Sequence, residues 1–175
     1  MKYAIDRVFL FAAFALAGCA QPVAPVKQDV KPVVAVDPAA AVRAIRAAGA
    51  GLDSAVQVHP LRDPAIDGFL DNAHKAEASN NIAEAIAQAD KALKLAPDAP
   101  DILQYRAELE IARSQWLPAE KLAIRSFTLG PKIGALCARN WQTVVEARIA
   151  MNDPATTAQA RLRVKECRVP PRLRM

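Results

Sequence analysis

From residue 66 onward, apolar side chains recur every three or four positions, the period of a helix that buries one face. Phe69, Leu70, Ala73 and Ala76 mark the buried side of a helix over 66–78. Ile82, Ile86, Ala89 and Leu93 mark a second over 82–95, with Asn80-Asn81 as the turn and Pro97 as the stop. Leu103 and Ala107 predict a third helix from Asp101 to about Ser114. Leu122, Ala123 and Phe127 predict a fourth from Pro118 to Leu129, ended by Gly130-Pro131. Ile133, Leu136, Cys137, Trp141, Val144, Val145 and Met151 form the next stripe, and Asn152-Asp153-Pro154 turns the chain. The last helix, over 154–167, carries Ala155, Ala158, Leu162 and Val164. Upstream, Asp37-Pro38 supplies an acidic cap and a first-turn proline to a helix bearing Val42, Ile45 and Leu52, with Val56 at the same spacing beyond its end in a stretch, 55–58, that reads as extended. Gly49 and Gly51 weaken it, and it is expected to end near Asp53, before the turns at His59-Pro60 and Asp63-Pro64.

The pattern repeats. Ala85-x3-Ala89-x3-Leu93-x-Leu95-x-Pro97 is answered 34 residues on by Ala119-x3-Ala123-x3-Phe127-x-Leu129-x-Pro131, and Ala73 by Ala107. A fixed 34-residue period of this kind resembles the tetratricopeptide repeat (TPR) family. The resemblance implies an all-α fold of TPR-like helical hairpins in a short right-handed solenoid. Two clear repeats would span 66–99 and 100–133, with 134–169 as a degenerate third hairpin and 37–65 as an N-terminal cap. Alanine at 73, 85, 92, 107 and 119 would let paired helices approach closely; larger side chains there typically cost about 1–3 kcal/mol. Ala76 and Glu110 replace consensus aromatic residues, Trp141 replaces a small one, and the third unit needs a first helix about two residues longer.

The N-terminus has a different character. Lys2 and Arg7 precede ten apolar residues, Val8 to Ala17, and then Gly18-Cys19. That run is too short to cross a bilayer of about 30 Å as a helix and reads as the core of a signal peptide over 1–18. Leu16-Ala17-Gly18-Cys19 resembles the bacterial lipobox, which implies acylation of Cys19, and Ala20 resembles an outer-membrane sorting signal. Residues 19–36, with Pro22, Pro25 and Pro32 and no helical period, read as an extended tether of about 50 Å. The expected location is the periplasmic face of the outer membrane.

Composition agrees with a helical domain: 53 % of residues are apolar, much of that alanine, and only 5 % are aromatic. A net charge of +5 does not by itself imply nucleic acid. With Cys19 set aside, Cys137 and Cys167 fall at the ends of one antiparallel hairpin that meet, so a disulfide is expected in an oxidising compartment; two buried thiols are the alternative. His59 and His74 have no partner at metal-ligand spacing, and no phosphate loop or nucleophile motif is present. Neither catalysis nor a cofactor beyond the lipid is expected.

Resemblance to the family implies a concave groove lined by the first helix of each hairpin. Carried over by position, it comprises Asp67, Leu70, His74 and Glu77, then Asp101, Gln104, Glu108 and Ile111, then Ala138, Gln142 and Val145. Four carboxylates without Lys or Arg make an acidic face suited to a basic or amphipathic peptide. Arg161, Arg163, Lys165, Arg168, Arg172 and Arg174 form a basic C-terminus, with 170–175 as a tail, suited to anionic lipid or polymer. The function these features imply is that of a non-catalytic adaptor or scaffold for another envelope protein, with a structural envelope component as the alternative. The broad class of TPR lipoproteins it resembles includes secretin pilotins, outer-membrane assembly factors and adaptors of cell-wall hydrolases.

Overall fold

The computed structural model describes residues 35–52 and 62–168. Cys19, most of the tether, Val56, His59, Arg172 and Arg174 lie outside them. All the secondary structure among the described residues is helical: α1 (Pro38–Gly49), α2 (Pro64–Ala78), α3 (Ile82–Leu95), α4 (Pro100–Ala112), α5 (Trp116–Leu129), α6 (Ala135–Ala150) and α7 (Pro154–Glu166). The helices start where side chains can serve their unpaired N–H groups. Asp37 accepts from the Ala39 amide at 2.9 Å, Asp63 from Ala65 at 2.9 Å, Asn81 from Glu84 at 3.2 Å and Asp153 from Thr156 at 3.0 Å.

The helices α2–α7 form three hairpins closed by the same turn. Asn80, Ser114 and Asn152 all take positive φ, at 59°, 59° and 53°. After each of them the next amide reaches back to the carbonyl of Ala76, Glu110 or Arg148, at 2.8–2.9 Å, which is the Schellman closure. Three non-glycine residues therefore hold a left-handed conformation, which Asn80 and Asn152 tolerate better than Ser114 does. The turns lie 34 and then 38 residues apart. Much of the extra length is in α6, with 16 residues against 13 in α4.

Close packing runs through the predicted small residues. Ala73, Ala85, Ala92, Ala107 and Ala119 are all fully buried. The stack is a TPR-like solenoid. In the third hairpin the Cys137–Cys167 disulfide is formed, with Cα atoms 5.6 Å apart, and the Gly134 amide donates to the Cys167 carbonyl at 2.7 Å. Gly134 has φ 88°, so a side chain there would be strained.

Two expectations are corrected. The buried face of α7 is Thr157, Ala160 and Cys167, with Val164 half-buried, whereas Ala155, Ala158 and Leu162 are exposed. The disulfide fixes the roll of the helix, and Thr157 can be buried because its hydroxyl donates to the Asp153 carbonyl at 2.7 Å. The second correction concerns α1. It does not cover the first hairpin but lies against α4 and α6, where Ala41, Val42 and Ile45 join Ile111, Ala119 and Ala147 in one apolar cluster. Those positions offer its three-residue stripe a matching apolar surface. At the far end of α1 a Cβ on Gly49 would stand 3.0 Å from the Arg139 side chain and 3.1 Å from the Ala135 carbonyl. Only glycine permits that approach without a shift.

Candidate functional site

Because α1 lies on α4 and α6, the predicted groove is largely filled by the chain's own helix. At its centre is Glu108, whose side chain has no solvent exposure. Its carboxylate accepts from Arg46 Nε of α1 at 2.9 Å, from Arg139 Nε and Nη2 of α6 at 2.9 and 2.5 Å, and from Gln104 Nε2 at 3.0 Å. Two guanidinium groups converging on one carboxylate clamp three helices together. Gln104 also donates to Thr143 Oγ1 at 2.9 Å, and Thr143 returns its proton to the Arg139 carbonyl at 2.9 Å. The network leaves Gln104 fully buried.

A second anion continues the line. Arg46 Nη2 donates to Glu77 Oε1 at 2.6 Å, and the Tyr105 hydroxyl donates to Glu77 Oε2 at 3.1 Å. Burial works against the Arg46 charge, but its bonds to Glu108 and Glu77 outweigh burial and raise its pKa. Burial, and then the Glu77 charge, push the Tyr105 phenol up, so it stays a donor at any physiological pH. His74 lies over Tyr105, ring centroids 4.4 Å apart, and remains exposed.

The expected acidic groove is therefore corrected. Glu77 and Glu108 are neutralised by Arg46 and Arg139, and Asp101 is paired with Arg62. Gln104, Glu108 and Ile111 are buried and unavailable to a partner. Asp67 and His74 are exposed, while Leu70 is half-buried. Ala138 and Val145 are core residues. Gln142 sits one hairpin further on, half-buried, donating to Glu146 at 2.7 Å. Among the basic residues, Arg163 is tied to Glu166 at 2.8 Å and stacks over Trp141, while Arg161, Lys165 and Arg168 are exposed.

Arg46 was missed because a groove assignment made by position within the repeat considers only the first helix of each hairpin, and Arg139 because it falls between Ala138 and Gln142, the positions carried over on α6. A signal existed nonetheless: Gln104-x3-Glu108-x2-Ile111 recurs as Gln142-x3-Glu146-x2-Ile149, at the same spacing that separates the last two turns. Among the described residues no cluster of three or more His, Cys, Asp or Glu could hold a metal ion. No helix among them is long and apolar enough to cross a membrane.

No protein-family model matches the sequence, and no curated protein matches it. Among solved structures, the chain is similar to the globular C-terminal domain of P. aeruginosa LpoP. The two share 28 % identity with a TM-score of 0.56, over 60 % of this chain and 99 % of that one.

Proposed function

We propose that the chain is a bacterial lipoprotein of TPR type, anchored through acylated Cys19 to the periplasmic face of the outer membrane. There it acts as a non-catalytic adaptor or scaffold for another envelope protein. The observation that carries this reading is the stack of three helical hairpins, clamped rigid by the Glu108 network, behind a lipobox and a proline-rich tether. A stack of this kind presents whole helix faces to a partner at little ordering cost. Its similarity to the C-terminal domain of LpoP, itself described as globular, supports a self-contained folded unit at the end of a leader.

Crosslinking in intact envelopes, with mass-spectrometric identification of the adducts, tests the adaptor reading. One recurrent protein adduct supports it. Adducts confined to lipid or cell-wall polymer overturn it in favour of the structural component. Cys19→Ser tests the anchor separately: the variant loses the acyl mass and leaves the membrane fraction, and retention without a mass change refutes the lipidation.

A further inference from the structure

The recurrence of Gln-x3-Glu-x2-Ile links two places that the fold treats differently. In α4 the three side chains face the next hairpin and are covered. Arg139, Thr143 and Ala147, successive turns of α6, meet Glu108, Gln104 and Ile111. In α6 the same three types recur as Gln142, Glu146 and Ile149, and the amide-to-carboxylate bond is made again, 2.7 Å against 3.0 Å. Here no further hairpin follows among the described residues. The polar contact to Glu146 is from Gln142, with Arg161 near enough to act through its charge.

The second helix of the hairpin shows the same contrast. In α5, Glu120 accepts from Arg148 of α6 at 2.7 Å, Ala123 is fully buried, and Phe127 packs edge-on against Trp141 at 5.0 Å. The corresponding positions of α7 are Ala158, Arg161 and Lys165, all exposed. Between the helices an open cleft of about 260 Å³ is bounded by Ile149, Ala158 and Arg161. In the preceding hairpin Ala147 and Arg148 of α6 occupy the matching place.

We propose that this end face, Gln142, Glu146 and Ile149 with Ala158, Arg161 and Lys165, docks an amphipathic helix of a partner protein. That helix presents an arginine to Glu146 and, two turns on, a small residue to Ile149. The occupant's chemistry is read from α6, which does this to α4 within the same chain. Arg161 and Lys165 stand where α5 has the apolar Ala123 and Phe127, and Ala158 where it has Glu120, so the occupant also carries carboxylates on the flank that meets α7. Burial raises the Glu146 pKa, so an incoming guanidinium relieves a carboxylate already partly stripped of water. The inference rests on the adaptor reading and names the surface and partner type for it.

The test places a photo-crosslinking residue at Ala158 of the full anchored chain, with Leu95 and Asp67, remote exposed positions, as controls. A protein adduct is expected at Ala158, at a segment of helical period containing an arginine. Glu146→Gln should cut its yield about tenfold or more, the usual scale for losing a charge-assisted hydrogen bond. The variant should keep the fold, because burial already favours the neutral form; Arg161→Glu is the second variant and should lose the adduct by like-charge repulsion. Adducts at Leu95 or Asp67 but not at Ala158 overturn this face and leave the adaptor reading standing. Adducts at Ala158 to a second copy, to lipid or to polymer overturn the occupant, as does a yield indifferent to Glu146→Gln. No protein adduct at any of the three sites overturns both.

Discussion

The sharpest consequence of the structure concerns Glu108→Gln. The substitution keeps the volume, so it opens no cavity, and it keeps one acceptor oxygen for Gln104 or an arginine. What it removes is the negative charge to which Arg46 and Arg139 both donate. Breaking a fully buried ion pair typically costs about 3–5 kcal/mol, most of it for the charge left without a partner. The arginine side chains are 44 % and 31 % exposed, so both retain some water, and Arg46 keeps Glu77. Those facts bring the loss down to or just below the bottom of that range, about 2–3 kcal/mol. At about 3–5 °C per kcal/mol for a domain of this size, the melting temperature should fall by roughly 6–15 °C. The loss should not be uniform. Besides the Ala41, Val42 and Ile45 stripe, Arg46 is what fastens α1, so hydrogen exchange should speed up first in α1 and only later in α2–α5. The control is Glu166→Gln, whose pair with Arg163 is more than half exposed on both sides and should change stability by at most about 1 kcal/mol. A Glu108→Gln protein within 1 kcal/mol of the parent, with α1 protected as before, would refute the claim that this carboxylate clamps the groove shut.

Three further outcomes follow from the same geometry. Reducing the Cys137–Cys167 bond frees a loop with a sequence separation of 30 residues, which in the chain-entropy model should lower stability by roughly 3–4 kcal/mol; an unchanged melting curve with reductant would sink that estimate. Ala119→Leu, at a fully buried position between α1, α4 and α6, should cost about 1–3 kcal/mol by overpacking, whereas Ala87→Leu on the exposed side of α3 should cost little; equal denaturation midpoints would contradict the packing described. Ser114→Gly should stabilise by up to about 1 kcal/mol, because Ser114 holds φ 59° in a turn that glycine enters freely. A lower midpoint in urea would show that the serine contributes something beyond the turn.

Much of the helical layout could be read directly from residue order. The spacing of Ala85, Ala89 and Leu93 against Ala119, Ala123 and Phe127 set the hairpin period, and α3 runs over the residues that pattern marks. Asp37-Pro38 and Asp153-Pro154 announced helix starts through local capping chemistry, which needs no distant partner. Cys137 and Cys167 were readable for a similar reason: the two ends of one antiparallel hairpin meet wherever the rest of the chain goes.

Contacts between elements far apart in sequence were not readable. Nothing local in Pro38–Gly49 says that α1 packs on α4 and α6 rather than on the first hairpin, because its stripe of Ala41, Val42 and Ile45 would suit any apolar groove. The choice depends on Arg46 finding Glu108, 62 residues away, and on Gly49 letting α1 approach Arg139. The roll of α7 was decided in the same way, by a disulfide and a buried Thr157 that hydropathy alone scores as solvent-facing. Sequence periodicity determined which segments become helices and how they pair with their neighbours. Only the tertiary structure decided which carboxylates are sealed and which face outward, because burial of a charge depends on where its counter-charge is brought from.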